Sequence, residues 1–185
     1  MNPFSTQYNT VVAPQLKAQK AYASEYLVPK VTKVIINVGL GDVMTNNKAI
    51  DEVADLVGRI AGQKPVLTKA RTAISGFKIR QGMVVGMKVT LRGSRMEDFL
   101  SKLIQIALPR TRDFRGLKSS GITADGNLNI GIKDSTIFPE AGQDITVHGI
   151  QVTLVSTAKT LEEAQLLYTG LGFVFQSESE STSKK

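Results

Sequence analysis

Apolar residues recur along this chain at two spacings, and each spacing predicts a different kind of element. After Pro29, the run KVTKVIINVGLG places β-branched residues at alternate positions and ends on glycines, which predicts a strand. The next apolar residues return every three or four positions, which predicts a helix that Asn46 or Asn47 caps and Gly62 ends. The ordered core is therefore expected to include a half-buried strand followed by an amphipathic helix.

Helices and strands follow one another irregularly over the rest of the chain. A helical stretch from about Tyr8 to Ala23 is expected to break at Pro14. Ser94 and Thr160 each stand three residues before a glutamate, so each is expected to open a helix through a capping box, and Pro109 is expected to stop the first of these helices. Further strands are predicted at residues 65–69, 83–92, 127–132 and 150–156. This order predicts an α+β fold with a mixed or antiparallel sheet, packed on helices on one face.

Charge is distributed unevenly over these elements. The chain has 185 residues and a formal net charge of +7. Residues 59–118 carry fourteen Lys or Arg against three Asp or Glu, whereas residues 1–58 carry five of each and residues 119–185 carry four against eight. A solvated surface usually mixes the two signs, so the basic middle indicates a localised contact with a polyanion.

Several classes of protein are excluded or disfavoured by what the chain lacks. It has no cysteine, which excludes disulfide scaffolds, thiolate metal sites and cysteine nucleophiles, and its single His148 cannot build a metal cluster alone. No apolar run approaches the roughly 20 residues of a membrane helix, and the N-terminal residues lack a signal or transit pattern, so we expect a cytoplasmic protein. No paired carboxylates are apparent for acid/base work, so we expect neither an enzyme nor a cofactor.

One glycine pair leaves a different function open. Gly39 and Gly41 suggest a dinucleotide-binding loop, but the third glycine of that motif is replaced by Met44, so a turn between strand and helix is the favoured interpretation. A small nucleotide-dependent enzyme therefore remains an alternative, as does a free RNA chaperone. Residues 1–175 are expected to form one RNA-binding domain, and residues 176–185 a polar, disordered tail.

Basic residues coincide with one face of the predicted sheet. The stretch from Gly62 to Arg80 contains no carboxylate, and the strand at 83–92 places Lys88, Thr90 and Arg92 on one face and its apolar residues on the other. This alternation predicts a sheet that is buried on helices behind and offers its opposite face and its loops to RNA.

Five ordered sequence blocks carry a family resemblance: VPKVTKVIINVGLG, GQKPVLTKARTAISGFKIRQGMVVGMKVTLRG, ALPRTRDFRGL, GNLNIGIKDSTIFPE and VSTAKTLEEA. Over about residues 28–171 they make the chain similar to bacterial-type large-subunit ribosomal protein five, the 5S-rRNA-binding family. The resemblance implies a structural constituent of the large ribosomal subunit that lies in the central protuberance. It also implies contacts with 5S rRNA, large-subunit rRNA, neighbouring large-subunit proteins, peptidyl-site tRNA and, across an intersubunit bridge, small-subunit protein thirteen.

The resemblance and the side-chain chemistry together assign roles to three groups of residues. Amides, hydroxyls and cations suited to rRNA are Asn37, Gln63, Lys64, Thr68, Lys69, Thr90 and Arg92. The 71–82 loop is implied to reach tRNA, with contacts from Arg71, Ser75, Gly76, Phe77, Lys78 and Arg80. A bridge or rRNA patch is assigned to Arg110, Arg112 and Arg115.

Alternatives accompany these assignments. Asn37 alone also fits a structural turn or edge position, and the three arginines also fit a solvated loop. Phe77 is interpreted as a base-stacking platform or a loop anchor, with the anchor favoured, and the 71–82 loop is expected to be mobile. The chain departs from the family in a shorter segment between Glu140 and Gly149, in Phe-Val-Phe where Phe-Pro-Phe is usual, and in its Ser/Glu tail.

Overall fold

The computed structural model describes residues 3–20, 22, 24–41, 46–112, 114–141 and 149–176. Its strands are β1 (Val31–Gly39), β2 (Val66–Lys69), β3 (Val84–Leu91), β4 (Leu128–Ile132) and β5 (Ile150–Ser156). Its α-helices are α1 (Pro3–Gln7), α2 (Ala13–Gln19), α3 (Asn47–Ala61), α4 (Gly93–Lys102), α5 (Leu108–Arg110) and α6 (Leu161–Gly170). The strands form one open antiparallel sheet in the order β2-β3-β1-β5-β4, so the predicted α+β class is confirmed.

The chain divides into two compact units. The first comprises residues 1–34, 92–130 and 153–185, and the second comprises residues 35–91 and 131–152. The single domain expected over residues 1–175 stays a prediction. Within the described part of the chain, no helix is both long and apolar enough to cross a membrane.

Two prolines of the first unit lie inside continuous helical runs. A π turn (Tyr8–Val12) joins α1 to α2, and Pro14 lies in the first turn of α2. A second π turn (Leu103–Ala107) joins α4 to α5, with Pro109 in the first turn of α5. In each case the backbone N–H of the residue before the proline donates to the carbonyl five positions back. The proline therefore occupies the first turn of the helix that follows, where its missing N–H costs little. The predicted break at Pro14 is therefore wrong, whereas the second helical run does end next to Pro109, at Arg110.

The two predicted capping boxes have different outcomes. Thr160 caps α6, because its side chain accepts a hydrogen bond from the Glu163 amide at 3.3 Å. Ser94 does not cap α4, because that helix already begins at Gly93 and Arg92 precedes it in an extended conformation without a side-chain cap. The glycine at positive φ lets the helix begin two residues earlier than the Ser-x-x-Glu spacing indicates.

The core of the first unit is built around α6. Tyr168 is fully buried, packs edge-on against Phe173 with ring centres 6.0 Å apart, and donates a hydrogen bond to the Gly126 carbonyl at 3.0 Å. Gly170 faces Val12, whose methyl carbons would lie 3.2–3.3 Å from an added Cβ. The missing side chain thus lets α6 approach the π turn of the N-terminal helix closely.

The core of the second unit lies between α3 and β3. Both parts of the α3 boundary are as predicted: Asn46 accepts hydrogen bonds from the Lys48 and Ala49 amides at 3.1 and 3.4 Å, and Gly62 follows the helix at φ 65°. The helix packs on β3 and on the short 3-10 turn Pro139–Ala141. Its buried residues are Ile50, Val53, Leu56, Val57, Ile60 and Ala61. They meet a sheet whose opposite face is left for polar residues.

Candidate RNA interface

The side chains of β1 and β3 that alternate with buried residues, together with the β2 side chains paired on the same side, form a surface that we call the polar face. In β3, Met87 and Val89 are buried, whereas Lys88 is exposed and Thr90 is half-buried. The predicted alternation is thus confirmed for these residues. An exposed ammonium group and a hydroxyl lie on the same side of the strand.

Strand β2 extends this face toward the edge of the sheet. It pairs antiparallel with β3, with Val66 opposite Lys88 and Thr68 opposite Gly86. The register shifts between Thr68 and Lys69, which is the irregularity of a β-bulge. The hydroxyl of Thr68 therefore stays on the polar face, and the exposed Lys69 ends the strand where pairing is no longer regular.

The centre of the face requires glycine at position 86. A Cβ there would lie 2.9 Å from the Val38 carbonyl oxygen and 3.1 Å from Thr68 Oγ1. Neighbouring backbone and side chain therefore approach this residue from both adjoining strands. The position of Thr68 depends on that close approach.

Asn37 belongs to the polar face and to neither a turn nor an edge. It is exposed within β1, between the buried Ile36 and Val38. Because β1 is the middle strand in the order β2-β3-β1-β5-β4, both structural alternatives for Asn37 are wrong. An exposed amide in the middle of a sheet is available to a partner.

Two of the remaining predicted residues precede β2, and another follows β3. Gln63 is half-buried and Lys64 exposed in the segment that joins α3 to β2. Arg92 is exposed directly after β3, where α4 begins. Six of the seven predicted rRNA residues thus lie in the second unit, and Arg92 is the first residue of the first unit beyond β3.

Lys88 is absent from the predicted rRNA set, although it lies on this face. The alternation of β3 already placed it beside Thr90, and its exposure in β3 makes it as accessible as Lys69. We add Lys88 to the candidate interface.

The segment from Ala70 to Met83, which we call the arm, is a hydrogen-bonded extension of the β2–β3 hairpin. At its base the Ala70 amide donates to the Met83 carbonyl at 2.8 Å, and the Gly82 amide donates to the Ala70 carbonyl at 3.0 Å. Near its tip, Ile74 and Ile79 exchange backbone bonds of 2.9 and 3.1 Å. Residues 70–83 belong to neither strand, so the predicted loop between β2 and β3 is confirmed, and backbone hydrogen bonds pair its base and its tip.

The tip of the arm is a 3-10 turn, Ser75–Phe77. Phe77 is 72% exposed, so the favoured interpretation of Phe77 as a loop anchor is wrong. Lys78 adopts a left-handed conformation with φ 54°, which is uncommon for a residue with a side chain. The other predicted tRNA-contact residues, Arg71, Ser75, Gly76 and Arg80, are exposed as well.

The described part of the protein does not neutralise the cations of the polar face and the arm. Residues 59–96 contain no Asp or Glu. Within the part of the chain that the structure describes, no ion pair involves Lys64, Lys69, Arg71, Lys78, Arg80 or Lys88. By contrast, Lys20 of the first unit lies 3.4 Å from a Glu163 carboxylate oxygen. The polar face and the arm therefore present uncompensated positive charge to a polyanion.

The predicted arginine patch lies in the first unit. Arg110 ends α5, and Arg110, Arg112 and Arg115 are all exposed. The loop that carries them is attached to the C-terminal segment, because the Leu117 amide donates to the Val174 carbonyl at 2.7 Å and the Gln176 amide donates to the Leu117 carbonyl at 2.9 Å. The patch is thus displayed by a loop with a fixed end.

Several predictions fall on residues that the structure does not describe. His148, Met44 and most of the shortened segment after Glu140 are outside the described residues, and so is the tail beyond Gln176. Gly39 ends β1 as predicted, and Gly41 follows it in a turn.

Comparison with known proteins gives concordant matches over most of the chain. Residues 24–80 match the family described as ribosomal protein L5, and residues 84–175 match the model of the C-terminus of that ribosomal family. The large ribosomal subunit protein uL5 of Symbiobacterium thermophilum is 48% identical over 177 residues, covering 95% of this chain and 98% of that protein. That of Lactobacillus delbrueckii subsp. bulgaricus is 45% identical over 176 residues, covering 94% and 98%.

Proposed function

Because this chain belongs to the ribosomal protein L5 family, we propose that it binds 5S rRNA through its polar face and contacts peptidyl-site tRNA through its arm. The chain is a structural, non-enzymatic constituent of the large subunit of the cytoplasmic ribosome, and ribosomal RNA and large-subunit proteins are its partners. Family membership thereby replaces the alternative of a nucleotide-dependent enzyme. Binding to 5S rRNA in the central protuberance, the tRNA contact and the intersubunit bridge are the parts that we propose.

The observation that carries the rRNA proposal is the chemistry of the polar face. Lys64, Lys69 and Lys88 supply exposed ammonium groups for phosphates, and none of them forms an ion pair with another described residue. Asn37, Thr68 and Thr90 add an amide and hydroxyls, which can bond ribose 2′-hydroxyls and exposed base edges. Cations alone would bind any nucleic acid, so the polar groups are what favour a folded RNA. We propose that Gln63 and Arg92 contribute at the ends of β2 and β3, within a single RNA-binding domain over residues 1–175.

A gel shift with 5S rRNA against a length-matched competitor RNA tests this proposal. We expect wild type to prefer 5S rRNA and the variant with both Lys69→Ala and Arg92→Ala to bind it more weakly. Equal affinity of wild type for both RNAs would instead indicate a free RNA chaperone. Undiminished binding by the double variant would show that the rRNA contacts lie elsewhere.

The geometry of the arm tip supports the tRNA contact. Phe77 presents most of its ring to solvent, where stacking on an RNA base is worth about 1–3 kcal/mol. Lys78 holds a left-handed conformation that costs about 1 kcal/mol and that glycine would adopt without strain. A lysine at that position is accounted for if its ammonium group binds a phosphate. Arg71 and Arg80 add exposed cations along the arm, and Ser75 and Gly76 form its turn.

A pair of substitutions at one residue separates the strain of the tip from its function. Lys78→Gly is expected to leave stability unchanged or raise it, and to weaken the crosslink of the arm to peptidyl-site tRNA on reconstituted ribosomes. Lys78→Arg should retain the crosslink, because it keeps the charge. If Lys78→Gly crosslinks as well as wild type, the ammonium group does not contact tRNA.

We further propose that the patch formed by Arg110, Arg112 and Arg115 contributes to the bridge with small-subunit protein thirteen or to an rRNA contact. Its support is the exposure of all three side chains on a loop whose far end is bonded to the C-terminal segment. Changing the three arginines to glutamate is expected to slow subunit association in light-scattering measurements. If subunit association and rRNA binding are both unchanged, the three arginines contact neither partner and belong to a solvated loop.

A further inference from the structure

We propose that the acidic start of the tail, residues 177–180, occupies the arginine patch in the unbound protein, so that RNA must displace it. The sequence of this segment is SESE, with carboxylates at Glu178 and Glu180. The match to the family model ends at residue 175, so this segment lies beyond the part of the chain that the model covers. The inference rests on the rRNA contact that we propose for the patch.

The described part of the chain ends beside the loop that carries the arginines. The Leu117 amide donates to the Val174 carbonyl at 2.7 Å, and the Gln176 amide donates to the Leu117 carbonyl at 2.9 Å. Leu117 and Phe175 form an isolated parallel bridge at the same place. Both segments belong to the first unit. The acidic segment therefore starts at a point that backbone bonds hold next to Leu117, two residues after Arg115.

Glycine at position 116 permits this close approach. Gly116 has φ 102°, and an added Cβ would lie 3.0 Å from Gln176 N, 3.0 Å from the Phe175 carbonyl carbon and 3.1 Å from the Val174 carbonyl oxygen. Because these neighbours are backbone atoms, they cannot move aside as the end of a side chain could. The residue that follows Arg115 thus lies directly against the last described residues, and this contact fixes where the acidic segment begins.

Chain connectivity keeps the first carboxylate near the patch whatever path the segment takes. Glu178 is two residues after Gln176, and Arg115 is two residues before Leu117, so each is at most about 7 Å of backbone away from the bonded pair. Their long side chains extend this reach. Charges in solvent interact over a Debye length of about 8–10 Å at physiological salt. On so short a tether, the effective concentration of carboxylate at the patch is on the order of 1 mM.

The charges of the patch and of the acidic segment are complementary. Residues 110–118 carry four cations against one carboxylate. The four exposed cations are Arg110, Arg112, Arg115 and the neighbouring Lys118. Over the described residues, none of these four side chains takes part in an ion pair. Glu178 and Glu180 are the first charged residues after Gln176, and lysines follow only at positions 184 and 185. The short tether therefore brings carboxylates, and not lysines, to the patch.

Such a contact is weak enough for RNA to displace. An exposed pair of opposite charges favours its contact about 1.5- to 5-fold, so two pairs favour the occupied patch about 2- to 25-fold. RNA gains counterion release at every phosphate that it brings to a cation. The acidic segment therefore lowers the affinity of the patch for RNA without preventing the binding of an RNA that makes many contacts.

NMR of the whole chain tests the contact directly. Changing Glu178 and Glu180 to glutamine gives a neutral-tail variant, whose patch amides should differ in shift from those of wild type at about 0.05 M salt. The difference should vanish at about 0.5 M salt, where screening is stronger. Lys184→Gln with Lys185→Gln is the matched control in the tail and should leave the patch amides unchanged. Identical patch shifts of wild type and the neutral-tail variant at low salt would overturn the inference.

RNA affinity tests the competition. The neutral-tail variant should bind the length-matched competitor RNA about 3- to 10-fold more tightly than wild type at about 0.1 M salt. When the patch also carries Arg112→Gln, Arg115→Gln and Lys118→Gln, the same change in the tail should alter affinity less than about 2-fold. Asp51→Asn with Glu52→Gln, both exposed on α3, changes the net charge equally and should raise affinity less than about 2-fold.

The outcomes separate this inference from the function on which it rests. Equal gains with and without the patch cations, or an equal gain in the α3 control, would overturn the inference, because net charge alone would explain them. Unchanged patch amides in a protein whose patch contributes to RNA affinity would overturn the inference alone. Changed patch amides in a protein whose patch contributes nothing to RNA affinity would instead overturn the proposed rRNA contact, and with it the competition.

Discussion

Replacing Lys64, Lys69 and Lys88 together with glutamine removes three positive charges from the polar face and from the segment entering it, while side chains of similar length remain. All three residues are exposed, and within the described part of the chain none of them takes part in an ion pair, so the substitution breaks no interaction that stabilises the fold. Any loss of RNA affinity is then a loss of intermolecular contact. The folded state should be as stable as wild type, because surface charges away from ion pairs contribute little.

The magnitude follows from counterion release. Each neutralised phosphate contributes about 0.7 to 0.9 to the slope of log K against log salt, so three contacts contribute about 2 to 2.7. Over the tenfold range of salt from about 1 M to about 0.1 M, that slope corresponds to a contribution of about 100- to 500-fold in affinity. The triple variant should lose that contribution at about 0.1 M salt. The figure applies if each ammonium group meets one phosphate.

Filter binding to 5S rRNA between about 0.05 and 0.4 M salt measures both affinity and slope. The control is a second triple variant with the same net charge, in which Lys48, Lys133 and Lys159 become glutamine. These lysines are exposed but lie outside β1, β2 and β3. We expect the control to lose only a few-fold in affinity for 5S rRNA, because it lowers the net positive charge of the protein without removing a direct contact.

Equal losses in the two triple variants would refute the assignment of the polar face, because net charge alone would then explain the binding. An unchanged salt slope in the first variant would refute it as well, since the three ammonium groups would then not displace counterions.

Three further predictions concern the framework of the interface and of the first unit. Gly86→Ala should lower the free energy of unfolding in urea by about 1–3 kcal/mol, because the added Cβ would lie 2.9 Å from the Val38 carbonyl oxygen. If the variant is as stable as wild type, β1 can shift to admit the Cβ without loss of stability. Burial raises the pKa of Tyr168 to about 12, above its ordinary value of 10.0, so the folded state holds this proton more tightly. This contribution to stability is complete below pH 10, and the free energy of unfolding falls by about 2.7 kcal/mol in all as pH rises toward 12. Tyr168→Phe should abolish that fall. If the fall is unaltered in the variant, other groups cause it. Asn46→Ala should cost about 1 kcal/mol by leaving the first amides of α3 without their cap, whereas Asn46→Asp should retain stability.

Local sequence patterns predicted the elements well where one side of an element meets the core and the other meets solvent. The period of two in β3 separated Lys88 and Thr90 from Met87 and Val89, and the structure has the same separation. Asn46 and Gly62 were recognisable because caps depend on residues adjacent in sequence. The concentration of basic residues in the middle of the chain was likewise apparent from the sequence alone.

Predictions failed where the outcome depended on how the backbone is paired. A proline inside a helical pattern normally breaks it, but a π turn before Pro14 places this proline in a helix start, and periodicity carries no sign of that rearrangement. Ile74 and Ile79 close the arm through backbone bonds that composition does not report, since glycines and cations there resemble an open loop.

The sequence by itself determined which residues face the core, where the ends of α3 lie, and where positive charge accumulates, because each depends on neighbours a few positions away. Only the tertiary structure decided that Asn37 lies in the middle of the sheet, that Phe77 is exposed at a paired tip, and that the carbonyl oxygen of Val38 approaches Gly86 closely. Those outcomes depend on strand order, cross-strand bonds and the approach of distant segments. The order of residues along the chain predicts these spatial relations only through its resemblance to a protein family.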